Sequence, residues 1–150
     1  MRVTLDANVL VYAVQADDDR HDAARAIVAR AMTADCVQTL QSLAECFHAL
    51  VRKRRLPADL ARIEVEALSE RLKVEAAEPE DLDRAMWATI RHRLSFWDAM
   101  LWATAHRIGC RLLLTEDQHD GRNLDGVRFI NPFAAVNAEL LEAALPPLEA

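Results

Sequence analysis

Four acidic residues stand in four separate segments, each where a short apolar run stops or a helical pattern begins. Asp6 ends Val3-Thr4-Leu5, and Glu45 follows Ser42-Leu43-Ala44. Asp98 lies in Ser95-Phe96-Trp97-Asp98-Ala99, and Asp117 closes Leu113-Leu114-Thr115-Glu116-Asp117. Brought together, such carboxylates make a hard, all-oxygen site of the kind Mg²⁺ or Mn²⁺ prefers. The chemistry that fits is metal-dependent phosphodiester hydrolysis. Two carboxylates about 5 Å apart repel by about 3 kcal/mol at an effective dielectric of about 20. A cluster of four therefore needs protons or a divalent cation to neutralise it.

The elements that must position these residues follow from the pattern of apolar positions. Short apolar runs at Val3–Leu5, Cys36–Leu40, Val74–Ala77, Leu112–Leu114 and Val127–Ile130 read as strands. Helical spacing covers His21–Met32, Ser42 to about Lys53, and a segment entered through Pro57 whose Leu60, Ile63, Leu68 and Leu72 are expected to face inward. Further helices run from Pro79 to His92, from Ser95 to Ile108 with Gly109 as the stop, and from beyond Asn131-Pro132-Phe133 to before Pro146-Pro147. Thr115 to Gly126 reads as a polar loop. Strands alternating with helices predict an α/β fold: a parallel sheet of about five strands with helices on both faces, in a single domain over residues 1–150. In such a sheet the ligand site lies outside the carboxyl ends of the strands, where the crossover helices also begin. Strand ends and helix starts thus share one rim.

Each carboxylate also has a purely structural reading. Ser42 with Glu45, and Ser95 with Asp98, have capping-box spacing. Asp6 suits a helix cap and Asp117 a turn. Four unrelated caps, however, have no reason to meet at the ligand edge. Asn8 adds an amide able to orient a carboxylate, and Thr115 a hydroxyl able to serve the site or a substrate phosphate.

The composition narrows the field. Lys plus Arg number 18 against 24 Asp plus Glu, a net charge of −6, so nucleic-acid binding through the overall field is excluded and any such binding must be local. Cys36, Cys46 and Cys110 fit no zinc spacing and read as small buried hydrophobes. With no signal peptide and no apolar run of spanning length, a soluble cytoplasmic protein without a membrane segment is expected. The basic runs Arg52-Lys53-Arg54-Arg55 and Arg91-His92-Arg93 fall at helix C-termini, where cations complement the dipole as well as they would steer RNA. His48, His106 and His119 read as bystanders. Trp87, Trp97 and Trp102 read as core, with Trp97 the one placed to stack a base.

These segments, in this order, resemble the PIN-domain ribonucleases, and among them the VapC-type toxins of toxin–antitoxin pairs. The resemblance rests on Leu5-Asp6-Ala7-Asn8-Val9-Leu10-Val11-Tyr12, Ser42 to Glu45, Trp97-Asp98-Ala99, Leu113 to Asp117 with Asp120-Gly121, and Asn131-Pro132-Phe133. It spans almost the whole chain. It implies a Rossmann-like sheet and a Mg²⁺- or Mn²⁺-dependent endoribonuclease with Asp6, Glu45, Asp98 and Asp117 as catalytic and metal-binding quartet. Glu116 and Asp120 are further candidates for support. Relatives often carry Thr or Ser where this chain has Ala7. The implied reaction is hydrolysis of an RNA phosphodiester to a 5′-phosphate and a 3′-hydroxyl, with one or two metal ions. The implied partners are RNA, a cognate antitoxin whose tail covers the acidic site, and a second copy in a homodimer. The partner groove or dimer contact is expected on the helices between Ser42 and Leu72. Two other readings remain. A phosphatase or dehalogenase using Asp6 as nucleophile would need a second acid where Asn8 stands. A receiver-like module would need a lysine at a late strand end, and the chain's only lysines are Lys53 and Lys73.

Overall fold

Strands of three residues suffice here because the central one is apolar on both faces. Leu112–Leu114 forms β4 and is fully buried. Leu112 and Leu114 pack with Val3, Leu5 and Ile130, whereas Leu113 packs with Val127 and Phe129. Alternate side chains of a strand point to opposite faces, so this sheet is covered on both sides.

The computed structural model describes residues 1–149. In chain order it runs β1 (Val3–Leu5), α1 (Ala7–Val14), α2 (His21–Ala31), β2 (Val37–Thr39), α3 (Leu40–Arg52), α4 (Ala58–Arg71) and β3 (Lys73–Glu75). There follow α5 (Pro79–His92), α6 (Phe96–Arg107), β4, β5 (Asn123–Leu124), β6 (Val127–Ile130), a 3₁₀ turn (Ala135–Asn137) and α7 (Ala138–Ala144). The main sheet has the order β1-β4-β6-β5. β1, β4 and β6 are parallel, and β5 is a short antiparallel edge on β6. β2 and β3 form a second parallel pair, joined to β1 by one parallel bridge between Val3 and Cys36. The expected parallel strands are all present, divided between two sheets.

Helices α1 to α4 and α7 supply Val9, Leu10, Ile27, Leu43, Ala61 and Leu141 to the cluster on one face. α5 and α6 supply Ala85, Ala88, Leu101 and Trp102 to the cluster on the other. The Trp102 indole N–H donates to the Leu124 carbonyl at 3.0 Å, so this buried aromatic also has its polar atom satisfied. All three cysteines are free and buried, and burial pushes each thiol up to about 12, which leaves them inert packing groups. No helix among the described residues is long and apolar enough to cross a membrane.

Several expectations need correction. The segment after Asp6, given no element of its own by its apolar run Val9-Leu10-Val11, is a full helix, α1, and Asp6 is its cap, as its sequence position suited. α3 begins at Leu40 rather than Ser42, with Thr39 as its cap accepting from the Ser42 N–H at 3.1 Å. The Ser42–Glu45 capping box is therefore not formed, and Glu45 is free of that duty. Leu60 and Ile63 of α4 do not face inward: they are 47% and 61% exposed, and α4 buries Ala61 and Leu68 instead. Trp87 and Trp97 are also largely exposed, unlike Trp102. The polar loop from Thr115 to Gly126 contains β5.

Candidate active site

The parallel register puts the ends of β1, β4 and β6 at one edge, where backbone bonds join them. The Asp6 N–H donates to the Leu114 carbonyl at 2.9 Å, and the Thr115 N–H to the Ile130 carbonyl at 2.9 Å. Asp6, the first residue past β1, is buried and caps α1 by accepting the Ala7 N–H on Oδ1 at 2.7 Å. Its Oδ2 accepts the Thr115 hydroxyl at 2.8 Å, and that hydroxyl accepts the Asp117 N–H at 3.1 Å. Asp6, Thr115 and Asp117 thus form a fixed chain across two strand ends.

The other carboxylates arrive from the second turn of α3, the first turn of α6 and the loop after β4. Glu45 stands one turn past Gln41 on α3, whose Nε2 donates to Glu45 Oε1 at 3.1 Å. Asp98, in the first turn of α6, accepts the Ser95 hydroxyl and Gln118 Nε2 on Oδ2, each at 2.6 Å. Asp117 accepts Asn8 Nδ2 at 2.6 Å. Asp6, Glu45, Asp98 and Asp117 all line one cavity of about 250 Å³.

Electrostatics shows what this convergence costs. Burial, aided by the negative charges of Asp117 and Glu45, pushes the Asp6 carboxyl up to about 7 against the bonds from Thr115 and Ala7. Glu45 is raised by burial and by Asp98 and Asp117, opposed by Gln41. Asp117 is raised by burial and by Glu116 and Asp98. The partners that hold these carboxylates are neutral amides and hydroxyls. Among the described residues none of the four carboxylates forms a salt bridge.

Donor type and charge therefore fit a hard divalent cation. The side-chain positions are a separate matter. Among the described residues no three His, Cys, Asp or Glu side chains surround a common point at ligating distance. Asp98, Asp117 and Glu45 each give an oxygen to a neighbouring hydroxyl or amide, and would have to turn to share an ion.

Of the supporting candidates, Asn8 lines the cavity, and Thr115 acts through its bonds to Asp6 and Asp117. Glu116 turns elsewhere, accepting the Tyr12 hydroxyl and pairing with Arg20 Nε at 2.9 Å. Asp120 also leaves the cavity. Its oxygens accept the Asn131 N–H and Asn137 Nδ2 at 2.9 Å, pinning the loop after β4 to the segment after β6.

Two cavity-lining residues stand outside the site as read from the sequence: His48, read as a bystander, and Lys53, read in a basic run at a helix C-terminus that complements the dipole or steers RNA. They lie three and eight positions past Glu45, His48 within α3 and Lys53 as its C-cap. Residues at that spacing share a helix face, and this signal was available in the sequence. Gln41 and Gln118, which hold Glu45 and Asp98, carried no such signal.

Sequence and fold comparisons agree with this architecture. No curated protein matches the chain by sequence. Among solved structures, the fold is similar to VapC20 of Mycobacterium tuberculosis, a sarcin-ricin loop cleaving toxin, with TM-score 0.65 and 22% identity over 77% of this chain and 89% of that one. It is similar to a toxin–antitoxin complex from Klebsiella pneumoniae, with TM-score 0.62 and 18% identity over 87% and 98% of the two chains. DNA-bound VapBC from Salmonella typhimurium gives TM-score 0.63 and 16% identity over 86% and 96%. The sequence itself matches the PIN domain over residues 3–125, and the chain belongs to the PIN-domain family.

Proposed function

We propose that residues 1–150 act as a single-domain endoribonuclease, the toxin of a toxin–antitoxin pair, working in the cytoplasm. The observation that carries this reading is the meeting of Asp6, Glu45, Asp98 and Asp117 in one cavity with no compensating ion pair among the described residues. Asp6, Asp98 and Asp117 would hold Mg²⁺ or Mn²⁺, with Glu45 in direct or water-mediated contact. When bound, the ion supplies positive charge for the reacting phosphate and lowers the pKa of water.

The chain's own residues provide the positioning. Ala7 and Thr115 fix both oxygens of Asp6, so this carboxylate enters the reaction already oriented. Asn8 holds Asp117, and Ser95 with Gln118 holds Asp98 through one oxygen, which leaves Oδ1 of Asp98 for other work. Burial holds the Asp6 carboxyl up at about 7 while no cation is bound, and Glu45 and Asp117 are raised as well, so a cation would displace protons from this cluster. The test is RNA cleavage with Mg²⁺, with EDTA, and after Mn²⁺ is added back. Activity should vanish in EDTA and return with Mn²⁺. Cleavage that persists in EDTA would remove the metal requirement, and intact RNA under every condition would remove the nuclease reading.

The partner reading is supported by the structural neighbours, which include toxin–antitoxin and VapBC complexes. A cavity walled by carboxylates suits an arginine or lysine of an antitoxin tail, in competition with the metal. The exposed Leu60 and Ile63 of α4 support an apolar contact between two copies in a homodimer. Co-expression with a small reading frame adjoining the gene should yield a complex whose ribonuclease activity is suppressed. A chain that purifies alone and fully active beside that product would end the toxin reading and leave the nuclease reading intact.

A further inference from the structure

Gln38, the middle residue of β2, is wholly buried, yet it does not line the carboxylate cavity. Its Nε2 donates to the Leu5 carbonyl at 2.7 Å. Its Oε1 has no hydrogen-bond partner among the described residues, and neither does the buried Thr4 hydroxyl of β1. A buried acceptor left unmade costs free energy that an apolar side chain of the same size would not. A position that only filled the core would be better served by methionine or leucine. Folds keep such a cost where one particular polar contact is needed. Here that contact is the donor on Leu5.

The Leu5 carbonyl and the Asp6 N–H belong to one planar peptide unit, so they point to opposite sides of β1. The N–H is taken by the Leu114 carbonyl of β4 at 2.9 Å. The carbonyl faces β2, but β1 and β2 are joined by a single bridge, at Val3 and Cys36. Past it β2 ends and its last residue, Thr39, becomes the cap of α3. The Gln38 amide stands in for the ladder bond that this ending removes. The peptide leading into Asp6 is thereby clamped from both sides. Ala7 and Thr115 fix the two oxygens of Asp6, which leaves the backbone entering it as the freedom still to be restrained. The same bond joins two elements that carry acids. Leu5 immediately precedes Asp6, and Gln38 lies two residues before Leu40, the start of the helix that bears Glu45.

We propose that Gln38 is a positioning residue of the carboxylate cavity: by clamping the Leu5–Asp6 peptide to β2, its amide sets where Asp6 stands relative to Glu45, and so how well the cavity holds a divalent cation. This rests on the nuclease reading above and adds to it a residue from outside the cavity. Groups that hold a ligand from behind affect metal affinity nearly as strongly as the ligands themselves. Small displacements of a carboxylate matter because its oxygens must meet an ion of fixed, short bond length.

Two variants separate positioning from packing. Gln38→Met keeps the volume and removes the donor, and Gln38→Asn keeps the amide but shortens its reach by one methylene. Mn²⁺ binding is measured by titration calorimetry, with RNA cleavage and thermal melts on the same preparations, at a temperature where each protein is folded. Both variants should bind Mn²⁺ about tenfold more weakly than wild type. At saturating Mn²⁺ kcat should fall by about tenfold while KM for RNA stays the same, since the cavity and not the RNA-binding surface is disturbed. Thr4→Val removes the neighbouring unpartnered hydroxyl without touching the Leu5–Asp6 peptide, and should bind Mn²⁺ as wild type does. Folded Gln38 variants that melt lower yet bind Mn²⁺ and cleave like wild type would overturn the proposal, leaving Gln38 a tie within the fold. So would the failure of both variants to fold, or an equal loss of Mn²⁺ affinity in Thr4→Val. In each of these cases wild type still binds Mn²⁺ and cleaves RNA, and this inference alone fails. A wild type that does neither takes the nuclease reading down with it.

Discussion

Asp6→Asn and Asp98→Asn should each lower RNA cleavage by at least about a thousandfold while leaving the fold in place, since each removes a negative charge from the set proposed to hold the divalent cation at the reacting phosphate. The local bonding shows why the fold should survive. At position 6 the asparagine oxygen can still accept the Ala7 N–H that caps α1. The Thr115 hydroxyl, which now donates to Asp6, can rotate to accept from the new amide. At position 98 a single oxygen accepts both Ser95 and Gln118, so an asparagine oxygen can keep both bonds. Steady-state cleavage and a thermal melt on the same preparations decide the matter. Loss of activity accompanied by loss of the cooperative melt would make these residues structural.

Most of the frame was legible because its signals are local. β1, β4 and β6 are short apolar runs closed by the polar residues Asp6, Thr115 and Asn131, and α5 and α6 carry Pro79, Ser95 and Gly109 at their ends. The rim location of the carboxylates followed from topology alone, because parallel strands must end at the same edge. What local signals could not show was which of two competing contacts wins. Ser42 and Thr39 both suit a cap, and the strand β2 ends so close to α3 that Thr39 is already there to do it. Leu60 and Ile63 have helical spacing with Leu68, but α4 turns the small Ala61 toward α3 and leaves the larger side chains outside.

The site was legible in its carboxylates and less so in what holds them. Asp6, Glu45, Asp98 and Asp117 lie in segments whose meeting the fold class predicts. Gln41 and Gln118 act only through distances that depend on the final packing of α3, α6 and the loop after β4. Glu116 and Asp120 illustrate the converse. Both stand within three positions of Asp117, yet one faces Tyr12 and Arg20 and the other Asn131 and Asn137. Neighbouring positions in a loop need not share a face, so proximity in sequence is a poor guide there. Lys53 had been read through its place at a helix C-terminus, a reading compatible with lining the cavity.

Asp6 should make the metal-free protein less stable as pH rises. Its carboxyl has an ordinary value of 3.8 and is pushed up to about 7 in the folded chain. Between those values the folded state holds a proton that the unfolded state has released, so unfolding becomes easier with each increment of pH. The stabilisation is complete below the unfolded value and lost as pH rises through the folded one. Glu45 and Asp117, also raised, act in the same direction. Asp18 is lowered by the Arg20 N–H and by Arg54, so its contribution is lost only at more acidic pH, below this window. For Asp6 the whole effect is on the order of 4 kcal/mol, at 1.36 kcal/mol for each tenfold change. In a chain of this size that corresponds to roughly 10 °C in melting temperature. In EDTA, wild type should therefore melt at progressively lower temperature from about pH 5 to about pH 8. Asp6→Asn should melt higher than wild type at the upper end and show a flatter profile. Mg²⁺ added at the upper end should recover much of the wild-type loss, because an ion bound only by the folded state stabilises it. A variant whose profile runs parallel to wild type across the window would show that Asp6 is not the strained carboxylate of the cavity.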